Sequence, residues 1–116
     1  MHLIKRLINY IKRREAIAKI TKAMKFEKTS DAHPEQYILY LWDYPAAYVR
    51  LRGGLFCVCY TPNGELDAYS HTLYLKDFGV STIGCFTNKL SRAWYLRKAK
   101  FVLASHVLAD AVADSR

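Results

Sequence analysis

The stretch AAYVRLRGGLFCVCYTPNG, residues 46–64, decides the fold that the sequence predicts. Its first segment alternates apolar and polar residues, so Ala47, Val49 and Leu51 should share one face of a strand. The Gly-Gly pair that follows predicts a tight hairpin turn into a second strand, residues 55–61. The Pro-Asn-Gly that closes the stretch signals another hairpin. These signals predict consecutive antiparallel strands.

The predicted strand at residues 55–61 is apolar on both of its faces. Phe56 and Val58 should lie on one side, with Leu55 and Cys57 on the other. A strand of this kind usually lies inside a sheet that is covered above and below. We therefore expect cover on both faces of the sheet at this point.

Strand composition continues on both sides of this stretch. Upstream, residues 36–44 (QYILYLWDY) are rich in Tyr, Ile, Leu and Trp, and Pro45 then marks a turn or a bulge. Downstream, residues 65–75 and 80–87 predict a fourth strand and a shorter fifth strand, separated by a turn at Lys-Asp-Phe-Gly. The sheet should therefore be an antiparallel meander of four or five strands within residues 36–87.

A long basic helix is predicted before the sheet, over residues 1–28. Apolar residues recur there at helical spacing, at Ile4, Leu7, Ile8, Ile11, Ile17, Ile20 and Met24. The turn-forming residues 29–35 (TSDAHPE) should end this helix. We expect residues 11–24 to cover the core of the sheet and the surrounding lysines and arginines to be solvated.

The chain ends in a second predicted helix, residues 88–113, with Thr87 or Asn88 as its N-cap. Its apolar stripe consists of Leu90, Trp94, Phe101, Ala104, Leu108 and Ala111. Together the elements predict one α+β domain over residues 1–116. It comprises an N-terminal amphipathic helix, an antiparallel four- to five-stranded meander and a C-terminal helix.

Positive charge is concentrated in the two predicted helices. The 116-residue chain has a formal net charge of +8, and residues 1–28 carry +7, residues 29–88 carry −3 and residues 89–100 carry +5. If the helices lie side by side on the sheet, their outer surface is one positive face. Such a surface favours an acidic partner, either nucleic acid or the acidic face of a protein.

The cysteines and the apolar segments bear on the compartment. Three cysteines, an odd number without a framework spacing, favour a reducing and therefore cytoplasmic setting. No uninterrupted apolar run approaches the roughly 18 residues that span a bilayer, and the N-terminus lacks the apolar segment of a secretory signal. We expect a cytoplasmic protein, while the sequence leaves the oligomeric state open.

No catalytic or metal-binding motif stands out in the sequence. Cys57 and Cys59 should share one strand face, with Cys85 and His71 as candidate neighbours, but structural zinc sites favour Cys-x-x-Cys turns. Thiols within an apolar strand are more commonly packing residues. The glycine loops that bind phosphates or dinucleotides are missing from the sequence. We predict no enzymatic activity, metal or cofactor, and a small enzyme using a Cys–His pair is the alternative.

Two sets of residues are candidates for binding an acidic partner. Tyr48, Arg50 and Arg52 should share one strand face, and aromatic rings beside guanidinium groups are typical of single-strand binders. The helices supply the second set, which consists of Lys5, Arg6, Lys12, Arg13, Arg14, Arg92, Arg97 and Lys98. The alternative interpretation of both sets is that they are solvated positions of ordinary elements.

The sequence thus predicts a small, basic, non-catalytic binding protein. We expect a regulator or inhibitor that engages nucleic acid or a protein complex that processes nucleic acid, by analogy with accessory proteins of phages and mobile elements. The alternative is a peripheral protein whose N-terminal cationic helix lies on an anionic membrane. The sequence has no Trp or Phe before Phe26, which weighs against the membrane alternative.

Overall fold

In chain order, one helix precedes an antiparallel sheet and a second helix follows it. The computed structural model describes residues 2–29, 35–52, 54–61, 71–78, 86 and 88–114. The elements are α1 (His2–Lys22), β1 (Met24–Lys28), β2 (Glu35–Leu41), β3 (Tyr44–Arg52), β4 (Leu55–Tyr60), β5 (His71–Asp77) and α2 (Lys89–Asp114). The predicted α+β fold, with its N-terminal helix, meander and C-terminal helix, is confirmed.

The described strands form one sheet in the order β1-β2-β3-β4-β5, and every neighbouring pair is antiparallel. One row of cross-strand partners runs through Tyr37, Val49, Val58 and Tyr74. Because directly opposed residues point to the same side of a sheet, this row defines the face on which the core is built. A meander of this kind needs only short connections between neighbouring strands.

The sequence analysis did not predict β1. It predicted one helix over residues 1–28, but α1 ends at Lys22. Residues 24–28 (MKFEK) instead alternate as a strand and pair with β2. Phe26 lies opposite Leu39 and meets the ring of Tyr37 edge-on at 5.6 Å between centroids. The backbone amide of Trp42 also donates to the carbonyl of Ala23 at 2.9 Å. Sheet hydrogen bonds and aromatic packing therefore outweigh the local helical pattern.

The hairpin between β2 and β3 turns before Pro45 rather than at it. The two-residue turn is Trp42-Asp43, and Trp42 has a positive φ of 55°. The register between β2 and β3 shifts between Leu39 and Tyr40, and Pro45 pairs with Tyr40 beside this bulge. A turn or a bulge was predicted at Pro45, and the structure has the bulge. In the following hairpin, Gly54 has a φ of 81°, a conformation that glycine adopts without steric cost.

Several predicted features fall wholly or partly outside the described residues. The Pro-Asn-Gly turn, the first part of the predicted strand 65–75, and the predicted strand 80–87 except Phe86 are among them. The described strand in this region, β5, begins at His71 and continues through Lys76 and Asp77, which had been assigned to a turn. Asn88 is confirmed as the N-cap of α2, because its side-chain oxygen accepts a hydrogen bond from the amide of Ser91 at 2.8 Å.

Both helices pack on the core face of the sheet and run in opposite directions. Lys12 of α1 lies near Val112 of α2, while Lys22 lies near Arg97. The core between helices and sheet includes Leu39, Val49, Phe56, Val58, Ala99 and Leu103, all almost fully buried. At one end the ring of Phe56 lies 5.4 Å from Tyr95 and 5.6 Å from Phe86.

The described elements do not cover the second face of the sheet, although cover on both faces was predicted. On that face Cys59 is buried, Cys57 is partly buried and Leu55 is exposed. β4 does lie inside the sheet, between β3 and β5. The apolar residues on both faces of β4 therefore predicted an interior strand correctly. The prediction that both faces of this strand are covered was wrong at Leu55, which is exposed.

The apolar stripes of the helices were only partly assigned to the correct face. In α1 the buried residue is Ile17, and Ile11, which was predicted to cover the core, is exposed. In α2 the predicted stripe residues Leu90, Trp94 and Phe101 are exposed. The sheet instead receives Tyr95, Ala99 and Leu103, which are four residues apart and include a small side chain that permits close approach.

Leu103 and Leu90 of the same helix provide a matched test of this packing. Leu103 is 0% exposed and Leu90 is 83% exposed. We predict that Leu103→Ala lowers the free energy of unfolding by about 3 kcal/mol, because it removes buried methyl groups and leaves a cavity. Leu90→Ala should change it by less than about 0.5 kcal/mol. Urea unfolding followed by circular dichroism measures both, and equal losses would contradict the assigned core face.

Candidate functional site

The predicted sheet residues Tyr48, Arg50 and Arg52 lie on the face away from the helices. The Tyr48 hydroxyl donates a hydrogen bond to the side-chain oxygen of Gln36. The Arg50 guanidinium lies 5.8 Å from the centroid of the Tyr48 ring, so it occupies one face of that ring. Arg52, at the end of β3, is exposed. The structure therefore brings the three together on one face, as predicted, with Tyr48 already engaged by its neighbours.

The two cysteines of β4 also lie on this face. Their Sγ atoms are 4.0 Å apart, and Cys59 Sγ lies 3.9 Å from the Thr72 hydroxyl. Burial, reinforced by the charge and hydrogen bond of Cys59, raises the pKa of the Cys57 thiol to about 11 and outweighs the opposing effect of Arg50. Little Cys57 thiolate is therefore present at neutral pH, which makes this thiol a poor nucleophile.

The other members of the proposed cysteine–histidine set do not join Cys57 and Cys59 in the described structure. His71 pairs with Tyr60, which lies on the helix-covered face, and Cys85 is outside the described residues. Within the ranges that the structure describes, no group of three or more His, Cys, Asp or Glu residues is placed to hold a metal ion.

A basic groove lies between α1 and α2, next to the first residue of β1. It has a volume of about 500 Å³ and is lined by Arg14, Ile17, Ala18, Thr21, Lys22, Met24, Arg97, Lys100 and Phe101. The described lining contains four cations and no carboxylate. Ile17 and Met24 also belong to the core, so the groove has an apolar floor between charged walls.

Smaller depressions extend the groove in two directions and add aromatic side chains. One, of about 440 Å³, joins Tyr10 and Arg13 to Arg14 and Phe101. Another, of about 230 Å³, joins Trp94 and Lys98 to Arg97 and Phe101. Phe101 is common to all three depressions. Tyr10, Trp94 and Phe101 are all exposed, so their rings are accessible from solvent.

Aromatic neighbours help to position the cations of this surface. The Arg14 guanidinium donates to the Tyr10 hydroxyl at 2.9 Å and lies 5.7 Å from the centroid of that ring. The Lys98 ammonium lies 5.7 Å from the Phe101 ring centroid, and Lys100 lies 5.4 Å from that of Phe26. Such contacts hold the long side chains along apolar surface while their charged ends remain available to an anion.

The structure divides the predicted helical residues into four groups. Arg13, Arg14, Arg97 and Lys98 meet around the groove and its extensions. Lys12 joins Arg13 at a separate depression of about 580 Å³ next to the C-terminal part of α2. Lys5 and Arg6 lie further towards the N-terminus of α1, outside these depressions. Arg92 alone forms the fourth group.

Arg92 forms an ion pair with a carboxylate of the sheet. Its Nη2 lies 2.9 Å from Glu35 Oε1, and its Nε lies 3.0 Å from Oε2. The Glu35 side chain is 3% exposed and that of Arg92 is 34% exposed. The Tyr37 hydroxyl donates to Glu35 Oε2 at 2.9 Å. Arg92 was predicted to bind a partner, and the structure gives it this role of satisfying a buried carboxylate.

The pKa values of Glu35 and Tyr37 follow from this cluster. Burial alone would raise the pKa of the Glu35 carboxyl, but the hydrogen bonds from Arg92 and Tyr37 and the charges of Arg92 and Lys28 lower it overall. Burial and the hydrogen bond to the Glu35 carboxylate raise the pKa of Tyr37 to about 12. Glu35 is therefore ionised at neutral pH.

Among the charged and aromatic residues, the prediction of site residues missed Lys22, Lys100 and Phe101 of the groove. It also missed Tyr10 and Trp94 of the groove's extensions. The spacing of Trp94, Arg97 and Phe101 places them on one helix face, which is a readable signal. Periodicity assigned that face to the core, however, and only the docked position of α2 shows that it is exposed.

Comparison with known proteins gives no relative for this chain. No protein-family model, curated protein or solved structure matches it. Among the described residues, neither helix combines the length and the hydropathy that a membrane-spanning segment requires.

The Glu35–Arg92 pair predicts a specific dependence of stability on pH. We expect Arg92→Met to lower the free energy of unfolding by about 2 kcal/mol at pH 7, less than for a fully buried pair, because part of Arg92 contacts solvent. In the wild type, the contribution of this ion pair to the free energy of unfolding is fully present above the pKa of about 4.3 that a Glu has in the unfolded chain. It is lost as the pH falls through the lower pKa of Glu35 in the folded protein. The difference between the two proteins should therefore shrink on acidification.

Urea unfolding between neutral and acidic pH measures this difference. The control is Glu35→Gln with Arg92→Met, which removes the buried charge as well and should regain part of the lost stability at pH 7. A loss from Arg92→Met that stays constant with pH would show that Arg92 acts by packing rather than by its charge.

Proposed function

We propose that the protein is a non-catalytic nucleic-acid-binding protein that holds a single strand in the groove between α1 and α2. One observation carries the proposal: Arg14, Lys22, Arg97 and Lys100 surround an open groove whose described lining contains no carboxylate. Phosphate groups are the natural complement of such a surface. Guanidinium groups in particular can bind phosphate oxygens with two parallel hydrogen bonds.

The aromatic residues favour a single strand over a duplex. Bases of a single strand are free to stack on exposed rings while basic side chains follow the phosphates. Tyr10, Phe101 and Trp94 lie along the groove and its extensions, and each is next to a cation. A duplex hides the faces of its bases, so it would leave these rings without a stacking partner.

The charge distribution supports the same conclusion at longer range. Residues 89–100 carry +5 and residues 1–28, which include α1 and β1, carry +7, while residues 29–88, which contain β2 to β5, carry −3. Because the helices share one layer, the positive potential is concentrated on one side of the molecule. This arrangement attracts a polyanion to the face that contains the groove.

Occupation of a strand without chemistry suits a regulator or an inhibitor. A protein that covers a single strand withholds it from enzymes that process nucleic acid, and the comparison with phage and mobile-element accessory proteins is an analogy. The odd number of cysteines supports a reducing compartment such as the cytoplasm for this activity.

The salt dependence of binding tests the role of the cations. We predict that the 116-residue protein binds a fluorescent oligothymidine, and that the logarithm of its affinity falls linearly with the logarithm of the salt concentration. Replacing Arg14 and Arg97 together by Gln should reduce the slope by about 1.4, since each phosphate contact with a single strand contributes about 0.7. Fluorescence anisotropy at several salt concentrations gives the slopes.

The matched control is Lys25→Gln with Arg52→Gln, which removes the same charge from exposed positions on the other side of the sheet. It should leave the slope nearly unchanged. If the control lowers the slope and the groove variant does not, the sheet residues bind the strand instead. Absence of binding at low salt would refute the proposal and favour a protein partner.

Phe101 tests the role of stacking. We predict that Phe101→Ala weakens oligothymidine binding by about 5- to 150-fold, the range for loss of one base–aromatic stack, with the salt slope unchanged. Trp42→Ala is the control, because Trp42 is 71% exposed in the hairpin between β2 and β3 and lies outside the groove lining. Equal effects of the two substitutions would show that binding does not depend on the ring in the groove.

A further inference from the structure

The first three turns of α1 expose an unusual amount of apolar surface. Their aliphatic side chains are between 46% and 79% exposed, and they are Leu3, Ile4, Leu7, Ile8 and Ile11. Single exposed aliphatic residues are ordinary, but a contiguous set on one helix marks an interaction surface. We call these five residues the N-terminal apolar face.

The N-terminal apolar face lies on a different side of α1 from the residues that pack against the sheet. With 100° between successive residues, the five side chains and Tyr10 cover an arc of about 160°. Of the two α1 residues in the core, Ile20 points to the opposite side of the helix, and Ile17 lies beside the arc, about 20° from Tyr10. Two apolar stripes therefore follow one another along α1. The first is not a frayed continuation of the core stripe, because it faces another direction.

The C-terminal part of α2 approaches the other side of α1. Leu108 and Val112 share a depression with Lys12, Arg13 and Ala16. On a helical wheel Lys12, Arg13 and Ala16 lie outside the apolar arc, on the basic side of the helix. The described elements thus meet the basic side of α1 near this point and leave the N-terminal apolar face in solvent.

The charges beside this face identify the chemistry of its partner. Residues 2–14 contain Lys5, Arg6, Lys12, Arg13 and Arg14, all exposed, and no acidic residue. Lys5, Arg6 and Lys12 border the apolar arc. A second copy of the chain would bring these like charges together, and nucleic acid offers no aliphatic surface. A bilayer with anionic headgroups complements both features at once.

We propose that the N-terminal apolar face binds the surface of an anionic lipid bilayer, with α1 parallel to the membrane plane. The aliphatic side chains enter the boundary between headgroups and acyl chains, while Lys5, Arg6 and Lys12 contact lipid phosphates. Tyr10, at the edge of the arc, supplies an aromatic ring suited to the interface. The binding is peripheral, because the helix contributes one apolar side only. The five aliphatic residues of the membrane face are absent from the described lining of the nucleic-acid groove, whereas Tyr10 takes part in both proposals. Substitution of the aliphatic residues therefore tests lipid binding without changing the groove, so either proposal can fail without the other.

Flotation with lipid vesicles tests the proposal on the full-length protein. We expect binding to vesicles of equimolar phosphatidylcholine and phosphatidylglycerol, and weaker binding to pure phosphatidylcholine. Ile4→Gln with Leu7→Gln should lower partitioning into the anionic vesicles by about 100-fold, through lost apolar burial. Lys5→Gln with Arg6→Gln should lower it by about 30-fold on anionic vesicles and leave phosphatidylcholine binding unchanged.

The matched control is Leu55→Gln with Leu75→Gln, which changes exposed aliphatic residues on the sheet face that points away from the helices. Leu75 is 58% exposed, as is Leu7. The control should float as the wild type does, and far-ultraviolet circular dichroism checks that each variant is folded.

Three results would overturn the proposal. The first is absence of flotation with the anionic vesicles, and the second is wild-type flotation of the Ile4→Gln, Leu7→Gln protein. The third is a wild-type dimer in analytical ultracentrifugation that this variant alone converts to a monomer, which would assign the face to a second copy of the chain. Oligothymidine binding by the Ile4→Gln, Leu7→Gln protein distinguishes the two proposals. If this variant loses lipid binding but still binds oligothymidine, the groove is intact and only the apolar face has been changed.

Discussion

Packing of both helices against the same face of the sheet is the constraint on which the other features depend. The sheet face built from Leu39, Val49 and Val58 is buried by α1 and α2 together, so each helix can bury only a narrow stripe of its surface. All remaining side chains of the helices must point sideways or outward. Since the helices carry most of the cations of the chain, one shared layer turns a basic composition into a basic surface with a groove along its centre.

The Glu35–Arg92 pair links that layer to the sheet at a defined point. Glu35 is the first residue of β2, and Arg92 lies in the first turn of α2. A buried carboxylate must be satisfied, and the guanidinium does so with hydrogen bonds to both of its oxygens. This contact fixes where α2 begins on the sheet. The positions of Arg97 and Phe101, one to three turns later, follow from it through helix geometry.

The sequence predicted the strands well where local chemistry determines them. β3 and β4 agree with the pattern because two-residue alternation and the Gly-Gly turn leave little freedom. Residues 24–28 were missed because a five-residue strand continues the spacing of the helix before it. Periodicity also reveals that a helix has an apolar stripe without showing what covers the stripe. The apolar spacing groups Ile4 with Ile17, but the two side chains point about 140° apart around α1, and only Ile17 is buried. The groove depends on how two helices dock, which neither helix encodes alone.

Two proposed ligands on one helix need not exclude one another. The N-terminal apolar face points away from the C-terminal part of α2, whereas the groove lies where α1 and α2 meet. Aliphatic contacts with lipid and stacking on Phe101 therefore use separate surfaces. The cations between them, above all Arg13 and Arg14, lie within reach of either polyanion, and a phosphate held by one ligand reduces the charge available to the other. Electrostatics would thus couple the two sites negatively, while the apolar contacts of each remain independent.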